Sequence, residues 1–207
     1  MSWKFDKSLA PVFVDHARKH IPDYDKVIEM TVELCKQYPL DAAIVDVGCA
    51  TGQTLSELNK ELFCNLYGVD NSQDMLDECP ENIATYINSE TYPDLPMMDV
   101  IICNWTLHFI KEKEKYLRQI KNNLNKDGLF ILSEKTSLDP YLISKYHEFK
   151  RTNGVSLQEI KQKEQSLKGV MNINSVDWYL STLNTIGFNH VDVVNAHYCF
   201  TTFICRL

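Results

Sequence analysis

From residue 42 onward, short unbroken apolar runs alternate with longer stretches whose apolar residues recur every three or four positions. The runs cover 42–47, 65–70, 84–87, 99–105 and 128–133. A strand that is apolar on both sides has to be covered on both faces. Such strands, separated by amphipathic helices, predict a parallel sheet with helices on either side. Two further β-rich runs, 191–194 and 198–205, lie close enough to pair as an antiparallel hairpin at the sheet edge. The pattern therefore predicts a doubly wound α/β fold of seven strands, mostly parallel.

Helical periodicity dominates outside that core. Residues up to about 40 read as two helical segments broken at Ile21-Pro22-Asp23-Tyr24, with Val27, Ile28, Met30, Val32 and Leu34 at near-helical spacing. After Pro140 the chain turns helical again over 141–149, 157–167 and 176–186. No repeat, low-complexity tract or Pro/Gly-rich linker interrupts it, so residues 1–207 are expected to form a single domain. Within it, 1–40 are N-terminal helices and 140–187 a helical region for a substrate or a second subunit.

Composition narrows the function classes. Hydrophobic residues make up 44% and charged residues 24% of the 207, values that suit a packed core. The net charge of −7 disfavours a broad electrostatic grip on nucleic acid and favours a small-molecule substrate. The basic stretch from Lys111 to Lys126 reads as a solvated helix face. No apolar run would span a bilayer, and the N-terminus has no signal-like pattern, so a cytoplasmic location is expected. Seven cysteines without a Cys-x-x-Cys pair suit reduced thiols, not a disulfide framework or a zinc site. The six histidines, His16 and His20 included, read as structural, and no metal is expected.

The chemistry gathers where strands should end. Asp46-x-Gly48-x-x-x-Gly52 lies at the first strand-to-helix turn, where glycine lets backbone approach a ligand; Ala50 and Thr51 are small enough to keep that approach open. Asp70 ends the second strand, on the edge where open α/β sheets bind ligands, and a carboxylate there can accept both ribose hydroxyl hydrogen bonds. Two glycines and an acid at Asp46 fit a pyrophosphate poorly and an amino-acid ammonium well. Asn71 can reach an adenosine edge or the ribose, and Met75 the adenine face through its sulfur. Ser89 and Glu90 follow the third strand as polar loop residues. Asn104, at the end of the fourth strand, can orient a methionine moiety, whereas His108 reads as a hydrogen-bonded core histidine. These residues point to S-adenosylmethionine, and no catalytic acid–base dyad is evident.

Other runs resemble a particular family. Phe5-Asp6, Val12-Phe13, Ile21-Pro22-x-Tyr24, Asp46-x-Gly48-Cys49, Asp70-Asn71-Ser72, Asn104-x-Thr106-Leu107, Leu132-Ser133-Glu134-Lys135 and Phe149-Lys150-Arg151-x-Asn153-Gly154 together are similar to carboxy-S-adenosylmethionine synthases. These are bacterial enzymes that serve wobble-uridine modification in tRNA. The resemblance implies a Rossmann-like class I methyltransferase fold. It also implies conversion of S-adenosylmethionine and prephenate to carboxy-S-adenosylmethionine and phenylpyruvate in a dry, preorganised pocket. It puts Tyr24, Gly48, Cys49, Ala50, Asp70, Asn71, Ser89, Glu90 and Asn104 at cofactor-contacting positions, and it implies a homodimer, with S-adenosylmethionine or its carboxylated form as the bound cofactor.

The sequence departs from that family at one position. An arginine is expected to reach across the dimer to the added carboxylate, and Glu164 stands there beside Lys163. Two expectations follow: Lys163 or Arg151 supplies the positive charge, or the enzyme carries out conventional methyl transfer to a small molecule or another acceptor.

Overall fold

The computed structural model describes residues 5–88 and 91–207. Seven strands form one sheet in the order β3-β2-β1-β4-β5-β7-β6. Strands β1 (Ala43–Val47), β2 (Asn65–Asp70), β3 (Ala84–Ile87), β4 (Met98–Asn104) and β5 (Leu124–Lys135) run parallel. Strand β7 (Phe200–Arg206) is antiparallel to both β5 and β6 (His190–His197), so the C-terminal hairpin docks through its second strand and leaves β6 outermost.

Alternating side chains explain the two covered faces. Val45, Val47, Ile101, Cys103, Phe130 and Leu132 pack with Tyr116, Leu117 and Ile120 of α5 (Lys113–Asn123) and with Tyr179 and Leu183 of α8 (Val176–Ile186). Their neighbours Ile44, Val100, Ile102, Leu129 and Ile131 pack on the other face. There they meet Val32 and Cys35 of α2 (Tyr24–Cys35) and Leu55 and Leu58 of α3 (Gln53–Glu61). Period-two alternation with both sets apolar is what a strand buried on both sides requires.

Strand β5 begins at Leu124, earlier than the expected 128, because the β4–β5 register shifts between Met98 and Val100 and admits a start that Gly128 obscured as a turn signal. The basic stretch is also not uniformly solvated. Lys113 is buried, and its ammonium donates to the Asn172 carbonyl and the Asn174 side chain.

The helical region after β5 follows its caps. Asp139 accepts from the Tyr141 and Leu142 amides ahead of Pro140, opening α6 (Pro140–Thr152). Ser156 and Glu159 form a reciprocal capping box at α7 (Leu157–Leu167). The Tyr146 hydroxyl donates to the His20 carbonyl at 2.8 Å, tying α6 to the last turn of α1 (Phe13–His20).

Candidate functional site

The carboxyl ends of β1, β2 and β4, with α1, α6 and α7, line a cavity of about 980 Å³. That volume is at the upper end of small-molecule sites. Tyr24, Asp46, Gly48 and Cys49 are on its wall, as are Ala50, Asp70, Asn71 and Asn104.

The glycine turn owes its geometry to packing as well as to any ligand. Gly48 has φ +78°, and a Cβ there would fall 1.9 Å from Thr106 Oγ1. The loop after β4 therefore occupies the space a side chain would need. Gly52, at φ +73°, precedes α3, and a Cβ on it would meet Cys79 Sγ at 2.9 Å. The Gly48 and Cys49 amides both donate to the Val69 carbonyl, at 2.7 and 3.0 Å, which pins the turn to the end of β2.

Asp70 braces the same turn. Its Oδ2 accepts from the Ala50 amide and its Oδ1 from the Ser72 amide, each at 2.9 Å. The Asn71 amide adds a third donor to this carboxylate. Burial raises the Asp70 pKa, opposed by those amide donors. Asp46 is 3% exposed, and burial, reinforced by the nearby Asp70 charge and opposed by the Thr54 hydroxyl, pushes its carboxyl up to about 7. Two buried acids held close are matched by a ligand that brings a cation on one side and hydroxyl donors on the other.

Asn104 supplies a second indication of what the cavity accepts. It is 7% exposed, and neither its Oδ1 nor its Nδ2 has a hydrogen-bond partner among the described residues. A buried amide left unpaired costs about 1–3 kcal/mol, so an orphan on a cavity wall fits a ligand that completes it. The next residue, Trp105, adopts φ +59°, uncommon for a bulky side chain. Its amide donates to the Ser133 carbonyl at 2.6 Å, and its ring stacks on Tyr24 with centroids 4.9 Å apart. These features fit an amino-acid-bearing nucleoside such as S-adenosylmethionine.

The remaining residues singled out in the sequence are placed variously. Met75 is off the cavity wall: it is fully buried against Ala10 and Ala50, so its sulfur serves the core beneath the turn. Arg151 is exposed and also absent from the wall. A helix turns about 100° per residue, and it is the preceding Lys150 that the phase of α6 aims inward. His16 and His20, expected to be structural, line the cavity with their rings stacked 4.1 Å apart. Ser89 and Glu90 lie outside the described residues; the neighbouring Asn88 is on the wall and donates to the Tyr116 hydroxyl at 3.1 Å.

Lys163 and Glu164 both reach the cavity, joined there by Lys135 and Lys150. Burial, reinforced by the neighbouring lysines, lowers Lys163 to about 7, and burial lowers Lys150 to about 8 despite the opposing Glu164. Glu164 accepts from His147 Nε2 at 2.5 Å and lies 3.9 Å from Lys150 Nζ. The signal for Lys135 and Lys150 was already present in the Ser-Glu-Lys and Phe-Lys-Arg runs, where no role had been assigned to either lysine.

Glu134, from the same Ser-Glu-Lys run, acts structurally. Fully buried, it accepts from the Leu107 amide (2.6 Å), the His108 amide (3.1 Å) and His108 Nδ1 (2.7 Å). His108 is therefore held as the sequence suggested, with its ring also on the cavity wall.

Comparison with known proteins agrees with this geometry. A family described as "Methyltransferase domain" matches residues 45–132. Carboxy-S-adenosyl-L-methionine synthase of Shewanella sediminis is 32% identical, covering 92% of this chain and 87% of that one. The enzyme of the same name from Photorhabdus laumondii is 31% identical over 92% and 84%. Among solved structures, a SAM-dependent methyltransferase of Thermotoga maritima superposes with a TM-score of 0.68 at 15% identity, covering 99% of this chain and 98% of that one, a likeness of fold.

Proposed function

Because the chain belongs to the carboxy-S-adenosyl-L-methionine synthase family of S-adenosylmethionine-dependent transferases, we propose that it makes carboxy-S-adenosylmethionine from S-adenosylmethionine and prephenate. Phenylpyruvate is the second product, and the carboxylated cofactor feeds wobble-uridine modification of tRNA. The observation that carries this reading is the pairing of opposite charges in one cavity: acids Asp46 and Asp70 on the strand ends, amines of Lys135, Lys150 and Lys163 on β5, α6 and α7. A conventional methyl acceptor is often a neutral nucleophile and needs no such amines, whereas a carboxylate donor does.

When bound, S-adenosylmethionine supplies a methyl group activated by the adjacent sulfonium. The chain's residues bind and orient. Asp46 faces the ammonium, Asp70 the ribose hydroxyls, and Asn104 completes its amide on the methionine portion. Tyr24, stacked on Trp105, closes the wall beside Asp46 and excludes water. In the balanced reaction the donor loses a carboxyl group to the methyl carbon and its ring hydroxyl leaves, taking up the methyl proton as water. No side-chain acid or base is consumed, which accords with the lack of a dyad in the sequence. Residues 1–207 act in this reading as one unit, with 140–187 as its substrate-facing part.

Purified protein incubated with S-adenosylmethionine and prephenate is expected to yield a cofactor heavier by one CO2, detected by exact mass, with stoichiometric phenylpyruvate. Its absence where binding of both ligands is demonstrated refutes the proposal. Glu164 on the cavity wall favours a second reading, methyl transfer to a cationic acceptor. That reading is marked by S-adenosylhomocysteine release that depends on such an acceptor.

A further inference from the structure

Three lysines from three elements share one stretch of the cavity wall. The Lys135 and Lys150 ammoniums both lie over the Tyr146 ring, 5.3 and 4.2 Å from its centroid. Tyr146 is itself anchored by its hydroxyl on the His20 carbonyl. Lys163, one turn before the end of α7, meets His16 Nε2 on α1. His16 is held in turn: His20 Nδ1 donates to its carbonyl at 2.9 Å while the two rings stack. Burial, with the Lys163 charge second, pushes His16 down to about 3 and His20 to about 4, so both rings are neutral and His16 can accept from an ammonium.

Packing three amines together in a partly buried wall is unfavourable without an anion, because each raises the cost of ionising the next. Cation–π contact with Tyr146 offsets only part of this. Glu164, engaged by His147, lies 3.9 Å from the Lys150 ammonium. Perturbed amines gathered in a cleft beside a cofactor site are the arrangement expected of a ligand subsite.

We propose that Lys135, Lys150 and Lys163 form a carboxylate subsite contained within a single chain, which receives the carboxylate-bearing second substrate without a cation drawn from another subunit. The inference rests on the function proposed above and assigns its substrate contacts. His16 acts as a positioning residue for Lys163. A consequence is that binding takes up protons: an arriving carboxylate favours the ammonium forms of Lys163 and Lys150. The groups facing these amines are His16 and His20 on α1, Lys135 on β5, Tyr146 on α6, Glu164 on α7 and Cys199 in the β6–β7 turn; Lys19 and Glu159 act in turn on the two histidines, and His147 on Glu164.

The test is isothermal titration of S-adenosylhomocysteine-saturated protein with prephenate, so that binding is read without turnover. Titrations at pH 8 in two buffers of different ionisation enthalpy count the protons. Lys135→Met and Lys163→Met are each expected to weaken prephenate binding about ten- to a hundredfold, the loss of one charge-assisted hydrogen bond. S-adenosylhomocysteine affinity should be retained. Lys163→Met abolishes most of the proton uptake, Lys163→Arg keeps prephenate affinity, and His16→Gln keeps more affinity than His16→Ala. Relief of the buried repulsion keeps or raises the melting temperature of the Met variants, which shows that they fold.

Prephenate affinity unchanged in Lys135→Met and Lys163→Met overturns the subsite, as does failure of the wild type to bind prephenate or binding that appears only at dimer-forming concentrations. The two proposals fail separately. Carboxylated product from a wild type whose lysine variants bind normally removes the subsite and leaves the function. Lysine-dependent binding with no carboxylated product leaves the subsite and removes the function.

Discussion

Replacing Asp46 by asparagine should make the ligand-free protein more stable at neutral pH while crippling its grip on S-adenosylmethionine. Asp46 is buried and its carboxyl is pushed from 3.8 to about 7. At 1.36 kcal/mol per pKa unit, that shift corresponds to about 4 kcal/mol. Its direction sets the sign. Below 3.8 the acid is protonated in the folded and unfolded states alike and carries no penalty. As pH rises from there to about 7 the unfolded chain releases its proton first, stability falls, and above 7 the full cost persists. Asparagine has no such titration but has its own amide to desolvate, at about 1–3 kcal/mol. The net expectation is a gain of about 1–3 kcal/mol at pH 8, roughly 2–12 °C in melting temperature for a chain of this size. The gain should shrink as pH is lowered, cross zero between about pH 4.5 and pH 6, and become a loss of about 1–3 kcal/mol near pH 4, where the aspartic acid no longer carries a penalty and the amide still does.

Two assays decide the matter. Urea denaturation of wild type and Asp46→Asn from pH 8 to pH 5 reads the stability gap. Titration calorimetry with S-adenosylmethionine reads the function. Loss of an ionic hydrogen bond to the ammonium should weaken binding about ten- to a hundredfold. Wild-type affinity should decline below pH 7 while that of the variant stays level. A stability gap independent of pH, or a variant that binds the cofactor normally, refutes the assignment of Asp46 as a carboxylate held ready for a cation.

Three other substitutions probe the surrounding structure. Gly48→Ala should cost about 2–5 kcal/mol by urea denaturation, from left-handed backbone strain plus collision with Thr106. Thr106→Gly in the same chain should recover the steric part, and equal losses in both backgrounds would remove Thr106 from the explanation. Asn104→Leu should leave the ligand-free melting temperature equal or higher, because it deletes an unpaired buried amide, while S-adenosylmethionine affinity falls; a large drop in stability would mean the amide is already satisfied. Glu134→Ala should destabilise by about 3 kcal/mol or more, because it strips His108 and the Leu107–His108 amides of their shared acceptor; a change below about 1 kcal/mol in denaturant unfolding would refute that role.

Much of the cofactor end was legible in the sequence because its determinants are local. Apolar runs such as 99–105 carry the signature of a doubly covered strand, and Asp46, Asp70 and Asn104 are all at or next to strand ends. Once the sheet is parallel, its topology puts them on one edge. Met75 illustrates the limit. Its spacing from Asp70 was right for an adenine contact, but which side of a four-residue helix faces the core depends on Ala10, contributed from the far N-terminus.

The amine-lined wall lies wholly beyond local patterns. In α6, Arg151 and Lys150 are adjacent cations, and only the docking of Tyr146 on His20 decides that the helix presents Lys150 inward. His16 and His20 lack a metal-ligand pattern, and their meeting with Lys163 joins the beginning of the chain to its last third. The sequence by itself determined the sheet, the strand-end acids and the glycine turn, since hydrophobic period and strand order act through near neighbours. The tertiary structure alone decided which charges converge, because helix phase and long-range packing are properties of the assembled chain, not of any segment.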